Sequence, residues 1–214
     1  MYKYILFDLD GTLTDPGVGI TNSVAYALHH YGIENTDRTE LYKFIGPPLK
    51  DSFMEFYGFP EDKAYEAIDV YREYFRSKGI YENELYDGIA DMLTKIKESD
   101  RKIALATSKP QEFAEIIIDY FNLREYFDFI AGATMDEQTR IRKSQVIEWV
   151  LENMEIEDKA EVLMVGDRMH DIEGAKENSL SSCGVLYGYG DREELEAAGA
   201  DYIVSSPQEI LTVI

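Results

Sequence analysis

The sequence has one cysteine, Cys183, so no disulfide can form within the chain. A reducing compartment is the expected setting, which reads as cytoplasmic. Basic residues are the next shortage: 21 Lys and Arg against 42 Asp and Glu leave a formal net charge of -21. That balance argues against nucleic acid and anionic membrane as partners, because both need a basic face. A small anionic substrate stays open, since one lysine and one divalent cation reverse the sign locally. Long apolar runs are missing too. The opening run Tyr4–Phe7 is too short for a signal peptide, and no run reaches membrane-spanning length. Repeats and low-complexity tracts are absent. What is present is a globular composition, with 45% hydrophobic residues, 10 Phe and 16 Tyr over 214 positions. Such a chain can bury a sizeable core, as one large domain or as a domain carrying an insertion.

Tyr4-Ile-Leu-Phe7 is β-prone, short and closed by the turn signal Asp10-Gly11, which predicts a buried strand. Asp8 then falls at its carboxyl end and Asp10 in the loop beyond. Ligands bind at that edge of open α/β sheets. Two carboxylates so close repel each other unless a cation stands between them, so a hard metal is one reading. Direct attack on phosphorus, giving an aspartyl-phosphate, is the other. A calcium loop counted from Asp8 fails, because its required glycine is Leu13 and its closing glutamate is Gly19.

Residues 17–83 contain no convincing strand. Ile20, Val24, Ala27, Leu28 and Tyr31 share one helical face that ends at Gly32. Shorter helices are expected over 39–44 and from Leu49 to about Gly58, and a long amphipathic one over 61–78. The eight tyrosines of this block read as core and half-buried helix faces. Past Gly88 strands and helices alternate. Strands are predicted at 102–106, 127–131, 162–165, 182–187 and 202–204, and helices at 110–121, 144–153, 170–178 and 192–198. The expected fold class is α/β, a Rossmann-like parallel sheet flanked by helices with an inserted all-helical cap. Residues 1–16 and 84–214 would form the core and 17–83 the cap.

Three further strand ends carry chemistry. Thr107 and Ser108 precede Lys109-Pro110, and Pro110 at a first helical position would leave helix amides facing an anion. Gly166-Asp167 is followed by Asp171, four residues on, so both acids could reach one Mg²⁺ from a single helical turn. Arg140, Arg142 and Lys143 stand just before a helix, and any one of the three could face a phosphate. Taken alone, Thr107-Ser108 and the basic segment read better as ordinary turn, cap or solvated residues, and Asp171 has the ordinary reading of a helix-start acid. His29 and His30 are adjacent on a helix and diverge, and nothing requires His170 to touch substrate. Cys183, in an apolar strand, reads as an inert core thiol.

Taken in order, Asp8-Leu-Asp10-Gly11-Thr12-Leu, Thr107-Ser108-Lys109-Pro110, Lys143 and Gly166-Asp167-Arg-Met-His-Asp171 resemble the four motifs of the haloacid dehalogenase-like hydrolase superfamily. The likeness runs the length of the chain, with the insertion where that superfamily carries its first type of helical cap. It is closer to the phosphoglycolate phosphatase-like and 5′-nucleotidase-like branch, through Gly166-Asp-Arg-x-x-Asp171-Ile-x-Gly-Ala-Lys-x-Asn178 and Tyr187-Gly-Tyr-Gly190. The resemblance implies a Mg²⁺-dependent phosphatase acting on a small anionic phosphorylated metabolite. Asp8 would attack phosphorus and Asp10 would serve as acid and then base. Thr107, Ser108 and Lys143 would bind the phosphoryl group, and Asp8, Asp10, Asp167 and Asp171 would form the metal site. In Gly46-Pro-Pro-Leu-Lys50, Lys50 is the cap cation expected to help select substrate. A phosphosugar mutase using the same acids is the enzymatic alternative, and a non-catalytic binding protein on the same fold is the other.

Overall fold

The computed structural model describes residues 1–34, 37–136 and 138–214. The chain separates into two compact units, Met1–Thr14 with Leu85–Ile214, and Asp15–Glu84. Strand β1 (Tyr4–Phe7) opens the first unit, and the two-residue strands β2 (Thr14–Asp15) and β3 (Glu84–Leu85) pair where the chain leaves and re-enters it.

Between them lie helices α1 (Gly17–His30), α2 (Leu49–Tyr57) and α3 (Glu61–Ser77), with 3-10 turns over Arg38–Phe44 and Gly79–Tyr81. Hydrophobic residues at helical spacing make the core of this unit: Ile20, Val24 and Leu28 from α1, Phe53 from α2, and Ala64, Ile68, Tyr71 and Phe75 from α3 are buried. Aromatic rings fill the space between, with Phe44 edge-on to Phe53 at 5.1 Å and Phe53 stacked on Phe59 at 5.9 Å. Gly58 caps α2 in the left-handed conformation, φ 64°, which a residue without Cβ adopts freely.

The first unit continues with α4 (Ile89–Glu98), β4 (Lys102–Pro110), α5 (Gln111–Tyr120), β5 (Phe129–Ala133), α6 (Lys143–Asn153), β6 (Val162–Gly166), α7 (Met169–Glu177), β7 (Ser181–Val185), α8 (Arg192–Ala198), β8 (Tyr202–Val204) and α9 (Pro207–Val213). Six strands form one parallel sheet in the order β5-β4-β1-β6-β7-β8. Both faces are covered. Leu6, Ala104, Met164 and Val162 pack on Val146, Ile147 and Val150 of α6, while the alternate residues Ile5, Phe7, Ile103 and Leu163 are equally buried. β1 lies between β4 and β6, and the chain builds outward from it in both directions. The carboxyl edge beside such a reversal is where an α/β sheet opens a crevice.

Three strands differ from expectation by two residues or more, and of these β7 ends at Val185 instead of Tyr187. β4 runs on to Pro110 through an irregularity after Ala106, and Pro110 caps α5 with φ -52° and ψ 132° instead of occupying its first turn. β5 starts two residues later than expected, at Phe129, because Arg124–Tyr126 forms a 3-10 turn first. Among the described residues, no helix is long and apolar enough to cross a membrane.

Candidate active site

Phe7 sits in register with Leu105 of β4 and Val165 of β6, so the next residues of three strands emerge side by side. The N–H of Asp8 still belongs to the sheet, donating to the Val165 carbonyl at 2.9 Å. The chain then turns sharply. The amides of Leu13 and Thr14 both donate to the Leu9 carbonyl, at 2.9 and 3.0 Å, and Gly11 takes φ 79°. A methyl group on Gly11 would fall 2.1 Å from Asp167 Oδ2, so only glycine lets this loop pass so close to that carboxylate.

Asp167 is fully buried beyond the end of β6. Its Oδ2 accepts the Tyr189 amide at 2.8 Å, and its Oδ1 faces the Thr12 hydroxyl at 3.4 Å. Asp167 and Asp171 do not share a helical turn. Asp167 precedes α7, Arg168 is extended, and Asp171 occupies the third position of the helix, where its Oδ2 accepts the Arg168 amide at 3.1 Å. The capping geometry, not an i,i+4 face, turns Asp171 inward. One oxygen each from Asp8, Asp167 and Asp171 lies within 4.8 Å of the other two. The Asp10 carboxylate is not in this cluster.

Lys143, the first residue of α6, is a buried cation of the site. Its Nζ lies 2.8 Å from Asp8 Oδ1 and 2.8 Å from Asp171 Oδ1, and donates to the Ala106 carbonyl at 2.9 Å. Of the three cations considered from sequence, the other two lie elsewhere: Arg140 stacks over Trp149 at 4.6 Å, and Arg142 is the residue capping α6. Thr107 is buried and its Oγ1 accepts the Lys109 amide at 3.2 Å, while Ser108 is half-buried. Lys109 had no role assigned from sequence. Its Nζ meets Asp10 Oδ2 at 2.5 Å, with both side chains nearly covered. The one signal for it was its position directly after Ser108 at an active strand end. Lys50, in the helical unit, pairs with Glu61 at 3.3 Å and lies over the Tyr65 ring at 5.6 Å. His29 pairs with Glu34, and burial together with Arg168 pushes His170 below the ordinary histidine value.

The electrostatics of the site are those of excess negative charge under cover. Burial pushes Asp10 above the usual carboxylate range, with Lys109 opposing. Burial raises Asp167 further, with Asp171 and Asp8 adding to it. Asp171 goes up to about 6 for the same first reason, against the pull of Lys143. Burial works against the charge of Lys143, and Asp171 and Asp8 more than offset it. Four carboxylates face two ammonium groups, so full ionisation leaves two negative charges, the complement of one divalent cation. Asp8 Oδ1 and Asp171 Oδ1 are buried and, although near the ammonium, receive no aligned hydrogen bond. An all-oxygen donor set in that condition fits a hard cation held by Asp8, Asp167 and Asp171.

The family model for haloacid dehalogenase-like hydrolases matches residues 5–185. A 5′-nucleotidase of Pseudomonas aeruginosa is 45% identical over 196 residues, covering 92% of this chain and 88% of its own. The crystal structure of a predicted phosphatase from Clostridium acetobutylicum superposes with a TM-score of 0.96 at 47% identity, covering 100% of this chain and 98% of the other. Tyrosine-protein kinase PtkA of Mycobacterium tuberculosis is 35% identical over 88% of this chain and 63% of its own length. A family match over residues 5–185, on top of the parallel sheet and the aspartate cluster, leaves one conclusion: the chain belongs to the haloacid dehalogenase-like hydrolase family and is an enzyme of its phosphatase group.

Proposed function

We propose that the protein hydrolyses small phosphomonoesters with Mg²⁺, through a phosphoryl group carried on Asp8. The observation behind this reading is the buried cluster of Asp8, Asp167 and Asp171, with Lys143 at 2.8 Å from Asp8, at the carboxyl edge of the sheet. Attack forms the Asp8 oxygen–phosphorus bond and breaks the bond to the leaving oxygen, which takes its proton from Asp10. Asp10 then accepts a proton from the water that attacks the aspartyl-phosphate, releasing phosphate and restoring Asp8. Thr107 and Ser108 receive the phosphoryl oxygens and Lys143 offsets their charge. Asp8, Asp167 and Asp171 would hold Mg²⁺, which when bound would supply charge neutralisation between an anionic nucleophile and an anionic substrate.

Nucleoside 5′-monophosphates are the first substrate class to test, on the strength of the Pseudomonas aeruginosa relative, with phosphoglycolate second. In this reading the unit Asp15–Glu84, inserted in sequence just after Asp8 and Asp10, serves as the cap and Lys50 contributes to substrate choice. The setting is cytoplasmic, in keeping with a lone buried Cys183. The deciding experiment measures phosphate release from nucleoside monophosphates, phosphoglycolate and sugar phosphates with Mg²⁺ and after chelation. Metal-dependent release is the expected result. Isomerised sugar phosphate without release would make the enzyme a mutase, and a flat response across the panel would make it a binding protein.

A further inference from the structure

We infer that Lys109 is a positioning residue that clamps one oxygen of Asp10 and thereby assigns proton transfer to the other. The inference rests on the phosphatase reading for what Asp10 does, and on geometry for how it is held. Asp10 Oδ2 lies 2.5 Å from Lys109 Nζ, with side-chain exposures of 11% and 6%. Its Oδ1 is buried and has no hydrogen-bond partner. Buried carboxylate oxygens are normally satisfied, so an orphaned one beside a nucleophile marks the place of a reacting group. The two buried lysines thus divide the work. Lys143 serves Asp8 and Asp171, and Lys109 serves Asp10.

Asp10 needs such a clamp because its surroundings push it away. Asp8 is two residues off, and its charge acts against the Asp10 carboxylate. A short acid with two rotatable bonds would otherwise turn toward water. Lys109 can hold it because β4 does not end at Ala106: the irregular continuation to Pro110 carries Lys109 to the Asp10 loop, and its amide is tied to Thr107 Oγ1 at 3.2 Å.

The test compares Lys109→Met, Asp10→Asn and the double variant, by kinetics and by the crystal structure of Lys109→Met. Lys109→Met is expected to lower kcat by ~10² with KM nearly unchanged, the scale of a lost acid–base group. Adding it to Asp10→Asn should cost about nothing more, because the clamp then has nothing to position. In the crystal structure the Asp10 side chain should leave its present place. Multiplying losses in the double variant, or a rise in KM with kcat intact, would overturn the inference by putting Lys109 on the substrate. Should Lys109→Met fold poorly, the double variant restores charge balance and should recover thermal stability. Should the wild-type protein release no phosphate at all, the phosphatase reading fails separately. The clamp is then decided by the crystal structure alone, where an unmoved Asp10 overturns it.

Discussion

Asp8 combines three contacts: a backbone N–H in the sheet, a buried lysine at 2.8 Å, and two further carboxylates close by. Asp8→Asn keeps the shape and removes the nucleophile, so turnover should vanish while the thermal transition is retained. Wild-type turnover in that variant at saturating substrate would dismiss the role. Asp10→Asn should slow turnover by ~10² to 10⁴. With p-nitrophenyl phosphate, whose leaving group needs little protonation, the phosphoenzyme should form and accumulate in rapid-quench samples. Fast release without accumulation would show that Asp10 does not activate water. Cys183 makes an independent check at the same scale. It is buried in β7, and burial pushes its thiol up to about 12. Native protein at pH 8 should therefore leave Ellman's reagent uncoloured until denaturant is added; prompt reaction of the folded protein would contradict this burial.

Elements meet in the cluster as well as residues: the turn after β1 supplies Asp8, the loop after β6 supplies Asp167, α7 supplies Asp171 and α6 supplies Lys143. Their ends are forced together by the order β4-β1-β6, and the fold bears an electrostatic cost there. Asp171 holds its proton up to about 6 in the folded state, against 3.8 for the ordinary carboxyl. The folded protein then binds more protons than the unfolded chain between those values, so stability falls as pH rises from about 4 through about 6. A divalent cation competes with those protons and removes the repulsion. Mg²⁺ should accordingly raise Tm more at pH 7.5 than at pH 5, with chelator reversing the shift. An equal shift at both pH values, or none, would place the metal elsewhere.

At the scale of the whole molecule the question is what the helical unit Asp15–Glu84 adds to the α/β unit. If it acts as a cap, Lys50→Ala should impair a natural anionic substrate several-fold more than p-nitrophenyl phosphate, which offers a cap little to grip. Equal losses would leave Lys50 as the partner of Glu61 and nothing else. Much of this architecture was legible in the amino-acid sequence. Short continuous apolar runs such as Tyr4–Phe7 and Tyr202–Val204, and the short helix α8, are local patterns that burial then enforces, and their bounds came out as expected. Chemistry placed at strand ends was legible for the same reason, since a carboxylate directly after a β-prone run has one edge to occupy. Pairings between distant residues were not legible. Whether Arg140, Arg142 or Lys143 enters the site depends on where α6 begins, and α6 begins at Lys143 because Arg142 remains extended. The reach of Lys109 depends on β4 continuing past Ala106, which its neighbour β5 supports by pairing Pro110 with Ala133. The chain by itself determined which residues could do the chemistry, through local periodicity and turn signals. Only the tertiary structure decided which cation meets which carboxylate, because contacts across some hundred residues are set by strand order and helix starts that no local pattern encodes.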